Sequence, residues 1–161
     1  MGRKSTRTDK TPYQLRREKL GLSLEKASEL LAISEDRLGK IEGRKATAYP
    51  DEVMTIAECY EDPSLCNHYC SNQCPIGKKY VPEVEVEDLS RIVLEMVASL
   101  NSISAKKDRL IEIAADGNLE GSERKDFEEI QSSLERLSIT VEALQLWTES
   151  VKDGTSQPSG K

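Results

Sequence analysis

Apolar residues recur at helical spacing along most of the chain, and the polar stretches between them carry cap and turn signals. Thr11-Pro12-Tyr13-Gln14 reads as a capping box, with Thr11 at the N-cap, Pro12 at the first helical position and Gln14 reaching back, and it predicts a short helix to about Lys19. Gly21 ends that helix, and Ser23 caps a second whose Leu24, Ala27, Leu30 and Leu31 share one face. Ser34 caps a third, carrying Leu38 and Ile41 and stopped at Gly43; Pro50 opens a fourth with Val53, Ile56, Ala57 and Tyr60 facing inward. Asp62-Pro63 starts a short fifth element.

Residues 81–86 lose this periodicity and read as a linker. Two long amphipathic helices follow. The first, about 88–115, presents Leu89, Ile92, Met96, Leu100, Ile103 and Leu110. The second, about 123–151, presents Phe127, Ile130, Leu134, Leu137, Val141, Leu144 and Val151 in alternating steps of three and four, the spacing of a coiled-coil seam. The break at 116–121 is short enough to fold the pair into an antiparallel hairpin. Asp116-Gly117-Asn118 with Glu123 imitates the back half of a calcium-binding loop, but Ala114 offers no oxygen at the third ligand position, and a tight interhelical turn accounts for the same residues. The fold class expected is all-α: a flexible arm at 1–10, a compact helical module at 11–62, a connector at 63–86, a helical hairpin at 87–151 and a disordered tail at 152–161.

Composition narrows the functions available. With 161 residues, 37% of them hydrophobic and 4% aromatic, the cores are modest. There is one histidine, no phosphate-cradling glycine loop and no nucleophile-and-base spacing, so neither an enzyme nor a small-molecule substrate is expected. The N-terminus has no apolar leader region and no apolar run reaches membrane-spanning length, which predicts a cytoplasmic protein without a membrane partner. Charge is unevenly spread. Residues 1–49 hold 12 Lys and Arg against 7 Asp and Glu, the rest 11 against 22, so a front third at +5 precedes a body at -11 within a net charge of -6. A basic module on an acidic body suits local binding of a polyanion without indiscriminate attraction to one.

The sequence GLSLEKASELLAISEDRLGKIEGRK spans the second and third expected helices. Over about residues 11–62 the chain resembles the lambda-repressor/Cro-like helix-turn-helix family, often called XRE. The positions that carry the resemblance are Gly21-Leu22-Ser23, Ala27, Leu30-Leu31, Ile33-Ser34, Ile41-Glu42, Gly43-Arg44-Lys45 and Pro50. The resemblance implies a sequence-specific, double-stranded-DNA-binding transcriptional regulator in which residues 34–43 form the recognition helix. Ser34, Glu35, Asp36, Gly39 and Lys40 would face the major groove, and Arg44 and Lys45 a phosphate strand. Where many relatives have glutamine early in helix two, this chain has Leu24 and Glu25. Glu35 and Asp36 are acids facing a polyanion, a placement that suits a cytosine amino group better than a phosphate. Glu42 reads as structural, paired with Arg16 or Arg17. Arg3, Lys4, Arg7 and Lys10 in the arm can add backbone contacts. Family dimers bind paired half-sites, so the hairpin is the expected homodimerisation element, with Ile111, Ile139 and Trp147 as apolar flank needing cover. The alternative is a protein-interaction adaptor built on a degenerate helix-turn-helix with a thiolate metal site.

That metal site rests on LCNHYCSNQCP, residues 65–75, which holds three of the four cysteines and the sole histidine. Cys59, Cys66, Cys70 and Cys74 together make a candidate four-thiolate site for zinc or an iron–sulfur cluster. Cys66 and Cys70 fall one turn apart on a helix, Cys74 needs a bend at Ser71–Gln73 and Pro75 to join them, and a helix start at Pro63 favours a deprotonated Cys66. His68 is offset from the two and reads as exposed. Buried, inert thiols are the competing account.

Overall fold

The computed structural model describes residues 10–85, 88–115, 121 and 123–152. Every regular element among them is helical: α1 Pro12–Lys19, α2 Leu24–Leu31, α3 Glu35–Glu42, α4 Pro50–Cys59, α5 Ser64–Asn72, α6 Gly77–Tyr80, α7 Leu89–Ala105, α8 Lys107–Ala114 and α9 Arg124–Lys152. The all-α class holds. The arm residues Arg3, Lys4 and Arg7, most of the interhelical break at 116–121 and the tail from 153 lie outside the described residues. The described chain divides into two compact units: residues 10–84, which also take the end of α9 from Glu149, and residues 85–148.

The first unit is assembled by its caps. Thr11, Ser23 and Ser34 each accept a backbone N–H three residues on, from Gln14, Lys26 and Arg37, at 3.3, 3.1 and 3.3 Å. These bonds fix where α1, α2 and α3 begin by satisfying N–H groups that the helix itself cannot. Only half of the expected box at α1 forms, because the Gln14 amide donates to Glu18 Oε1 at 3.0 Å instead of serving the N-cap. The apolar faces then close on one core of Tyr13, Ala27, Leu31, Leu38, Ile41, Val53, Ile56, Ala57, Tyr60 and Leu65. Burying a side chain such as Leu38 contributes about 1.5–3 kcal/mol.

Two arginines of α1 lock this core from outside. Arg17 grips Glu42 through both carboxylate oxygens at 2.7 Å each and also donates to the Leu22 carbonyl at 2.7 Å, tying α1 to the end of α3. Arg16 goes elsewhere, donating to the Tyr60 and Glu61 carbonyls at 2.8–3.0 Å and lying 3.3 Å from Asp62, where it caps the negative end of α4. Of the two arginine partners considered for Glu42, Arg17 is the one present.

In the second unit α7 and α8 run antiparallel to α9. Three contacts set the register: Ser102 Oγ to Ser133 Oγ at 3.0 Å, Lys106 to Glu129 at 2.8 Å and Arg109 to Asp126 at 2.7 Å. The expected single helix over 88–115 is broken at Lys106, after Asn101-Ser102-Ile103-Ser104, a run of weak helix formers that tightens into an i to i−3 bond from Lys106 to Ile103. The seam also differs from the one expected. Ile130 is buried on α9 as expected, but its buried companions are Ser133, Thr140, Ala143 and Leu146, whereas Phe127, Leu134, Val141 and Val151 are exposed. On α7 Ile92 and Ser99 are buried, and Leu89 and Leu100 are exposed. The buried positions of the two helices thus mix large apolar side chains, Ile92, Ile130 and Leu146, with small and hydroxylated ones.

Candidate nucleic-acid interface and thiol cluster

Helix α2 ends at Leu31, the chain turns through Ala32 in a left-handed conformation (φ 52°, ψ 32°), and Ser34 caps α3. Leu38, Ile41 and Glu42 hold the inner side of α3 in the core. Its other side presents Ser34, Glu35, Asp36 and Lys40 to solvent, and Arg44 and Lys45 follow beyond the C-terminus, also exposed. Lys40 is engaged, since its ammonium lies 2.6 Å from Asp36, although both side chains are largely in solvent and the pair adds little to stability. Gly39 is half-buried; a Cβ there would meet only Leu24 Cδ2 at 3.6 Å, an ordinary contact. Packing between α2 and α3 therefore does not require the glycine.

Arg37 is a residue the sequence pattern did not single out. It donates to both oxygens of Glu52 at 2.8 and 2.6 Å and to the Thr47 carbonyl at 3.0 Å, and its guanidinium stands 4.6 Å from the centre of the Tyr49 ring. Glu52 in turn accepts the Tyr49 N–H at 2.7 Å. The Arg37 hydrogen bonds, joined by that N–H, hold the Glu52 carboxyl below its ordinary range. One side chain thus fixes the orientation of α3 against α4 and the loop that follows Arg44 and Lys45. Its partners stand ten to fifteen positions away, beyond the reach of helical periodicity. That loop borders an open cleft of about 550 Å³, with Arg44, Lys45 and Thr47 on one wall and His68, Asn72 and Gln73 on the other. Cations beside hydroxyl and amide donors suit phosphate oxygens.

The cysteines lie on α4, on α5 and just after α5, in the same unit. All four are free thiols: Cys59 is exposed on α4, and Cys66, Cys70 and Cys74 are half-buried on or just beyond α5. Among the described residues no three His, Cys, Asp or Glu side chains stand in an arrangement that could hold a metal ion, so the structure does not gather the four expected ligands. Burial, followed by the neighbouring Cys70, pushes the Cys66 thiol up, which reverses the expected helix-start effect; α5 begins after an uncapped Pro63. His68 is not fully exposed. It packs edge-on against Tyr13 at 6.0 Å between ring centres, with Nδ1 3.3 Å from the Asn72 amide.

Two residues near the thiols also escaped the pattern. Asn67 is buried and bonds the linker both ways, donating to the Pro82 carbonyl and accepting the Val84 N–H, each at 3.0 Å. Gly77 sits so tightly against α5 that a Cβ would fall 2.0 Å from the Cys70 carbonyl oxygen. Comparison of the chain with protein-family models, with curated proteins and with solved structures finds no match.

Proposed function

We propose that the protein is a sequence-specific, double-stranded-DNA-binding transcriptional regulator, with α3 as its recognition helix. The observation that carries this reading is the division of α3 into two faces. Leu38, Ile41 and the Arg17-paired Glu42 anchor one side, while Ser34, Glu35, Asp36 and Lys40 stand free of the core on the other and Arg44 and Lys45 flank it. A helix that reads bases must be held rigidly from behind and bare in front. Arg37 and the capped start at Ser34 supply the rigidity.

The reading includes a homodimer. Phe127, Leu134 and Val141 form a stripe on α9 with a seven-residue spacing, 37%, 45% and 40% exposed, outside the hairpin's own contact. A stripe at that spacing is what a second helix would cover. No helix among the described residues is long and apolar enough to cross a membrane. A second reading, the adaptor, is favoured by one observation: Glu35 and Asp36 stand on the groove face and Asp36 occupies Lys40.

Fluorescence anisotropy on DNA selected from a random pool separates the two. For a regulator, Arg44→Ala and Lys45→Ala weaken binding by similar factors across sequences, and Lys40→Ala or Ser34→Ala changes the preferred sequence. Absence of salt-sensitive binding at low ionic strength selects the adaptor.

A further inference from the structure

The far wall of the cleft beside Arg44 and Lys45 has no part in the reading above. It is formed by α5, which contributes His68, Asn72 and Gln73, and the buried Thr11 and Ile41 also line the space. Both walls are fastened to the start of α1. The Thr11 hydroxyl donates to the Glu42 carbonyl at 3.4 Å, at the end of α3, while the Tyr13 ring meets His68 edge-on at 6.0 Å. The cleft is therefore set by the packing of three helices. Small-molecule sites are enclosed and mostly apolar, whereas this one is open, and among the described residues only Ile41 and Ala46 give it apolar lining. Such a lining suits a strand of anions crossing it.

Charge points the same way. Between Asp62 and Glu83 the sequence carries no Asp or Glu and has two lysines, Lys78 and Lys79, within a body that is otherwise acidic. An anion drawn to Lys45 thus meets no carboxylate of α5 on the opposite wall. Carbonyls at a helix C-terminus disfavour anions, but here they are occupied: the Tyr69 carbonyl takes the Gln73 and Cys74 N–H groups at 2.8 and 3.0 Å, and the Asn67 carbonyl takes Ser71 Oγ at 2.8 Å.

A second, independent observation shows what the α5 wall accepts. Glu83, from the segment after α6, takes the Asn72 amide on Oε1 at 2.7 Å, and the same oxygen stands 3.6 Å from His68 Nδ1. Asn67 places it there by holding the Pro82 carbonyl and the Val84 N–H on either side, at 3.0 Å each. An oxyanion already rests on these two groups.

We propose that the cleft seats one phosphate of duplex DNA, held by Arg44 and Lys45 from one side and by Asn72 and His68 of α5 from the other, with Glu83 competing for the same two donors. The assignment rests on the regulator reading and adds to it a contact element, α5, and an internal competitor. Amide and imidazole donors at a phosphate carry no base information, so the contact fixes the register of α3 on the duplex. The Glu83 side chain is 59% exposed and can swing off Asn72 while Asn67 keeps its backbone pinned.

Anisotropy titrations of the full-length chain on its selected duplex, at a series of salt concentrations, carry the test. Asn72 is exposed, so charge can be added there without disturbing the core. Asn72→Lys should steepen the slope of log affinity against log salt by about 0.9 and keep the preferred sequence. Asn72→Asp should weaken binding roughly 10-fold, and Glu83→Ala should tighten it about 3-fold. Gln131→Lys makes the same charge change at an exposed position of α9 in the second unit and should leave the slope unchanged. Circular dichroism of each variant confirms folding. Parent-like binding by both Asn72 variants, or an equal change of slope from Gln131→Lys, overturns the assignment. The two levels fail differently. A parent whose salt-sensitive binding is weakened by Arg44→Ala or Lys45→Ala but is indifferent to Asn72 and Glu83 loses only the α5 contact, whereas a parent without salt-sensitive binding loses the regulator reading and this contact together.

Discussion

Ala32, Arg44 and Glu61 each end a helix of the first unit through left-handed backbone, at φ 52°, 56° and 49°, without the glycine that makes such a turn inexpensive. The conformation costs an L-residue roughly 1–2 kcal/mol, part of which glycine gives back by loosening the unfolded chain. Ala32→Gly is therefore expected to stabilise the protein by about 0.5–1 kcal/mol, read as a raised denaturation midpoint in urea. A lowered midpoint would mean that the Ala32 methyl has a packing role. Glu52 gives a prediction in pH. Its folded carboxyl ionises below the ordinary 4.5, so its contribution is complete above that pH and drains away as pH falls through the folded value. Stability of the parent should drop as acid is added below pH 4.5, and Glu52→Gln should flatten that part of the curve while costing stability at neutral pH. The opposite sign would show that the Arg37 contact is absent in solution. Arg17→Met tests the buried pair. It strands the Glu42 carboxylate, whose side chain is 6% exposed, and should cost about 3–5 kcal/mol, far more than loss of the exposed Lys40–Asp36 pair.

Among the elements, the sequence was most readable where the physics is local. The caps at Thr11, Ser23 and Ser34, the start at Pro50 and the inward set Val53, Ile56, Ala57 and Tyr60 are all present, because each depends on residues within one or two turns. The hairpin contact was read one position off at each of two places. Periodicity counts large apolar side chains, so Leu134 and Val141 looked like seam, yet the buried neighbours are Ser133, which meets Ser102 of α7, and Thr140. Arg37, Asn67 and Gly77 carry no local signal, because what each does depends on a partner seven to seventeen residues away. In the candidate interface the exposed positions followed from helix phase. The four-thiolate site expected from the cysteine spacing is not gathered among the described residues, since bringing sulfurs from α4, α5 and the turn after it to one point is a tertiary arrangement that spacing does not fix. The outward stripe yields a test that separates folding from assembly. Leu134→Asp with Val141→Asp should leave helicity unchanged and halve the mass seen in sedimentation, because both residues are exposed within the hairpin. Leu137→Asp with Leu144→Asp, on half-buried positions, should unfold the hairpin instead. A parent already monomeric would remove the dimer from the proposal.

For the molecule as a whole, the front third at +5 and the remainder at -11 act on a polyanion with opposite sign. Attraction is local to the basic surface, whereas the acidic residues repel over a distance set by the Debye length, about 8 Å at physiological ionic strength. Adding salt therefore does two things: it reduces the free energy gained by counterion release at each contacted phosphate, and it screens the repulsion. The first term scales as about 0.9 per phosphate in the slope of log affinity against log salt for duplex DNA. The second bends the plot at the low-salt end. A regulator that contacts phosphate through Arg44 and Lys45 should show a negative slope that Arg44→Ala or Lys45→Ala each reduces by about 0.9, with the sequence preference retained. Lys40→Ala should behave differently, since its loss also releases Asp36 toward the groove: affinity should fall further than one lost cation explains, and the preferred bases should change. Anisotropy titrations at a series of salt concentrations measure both quantities on the intact chain. Equal slopes for the parent and the Arg44 and Lys45 variants would place the phosphate contacts elsewhere and leave α3 without a flanking anchor on DNA.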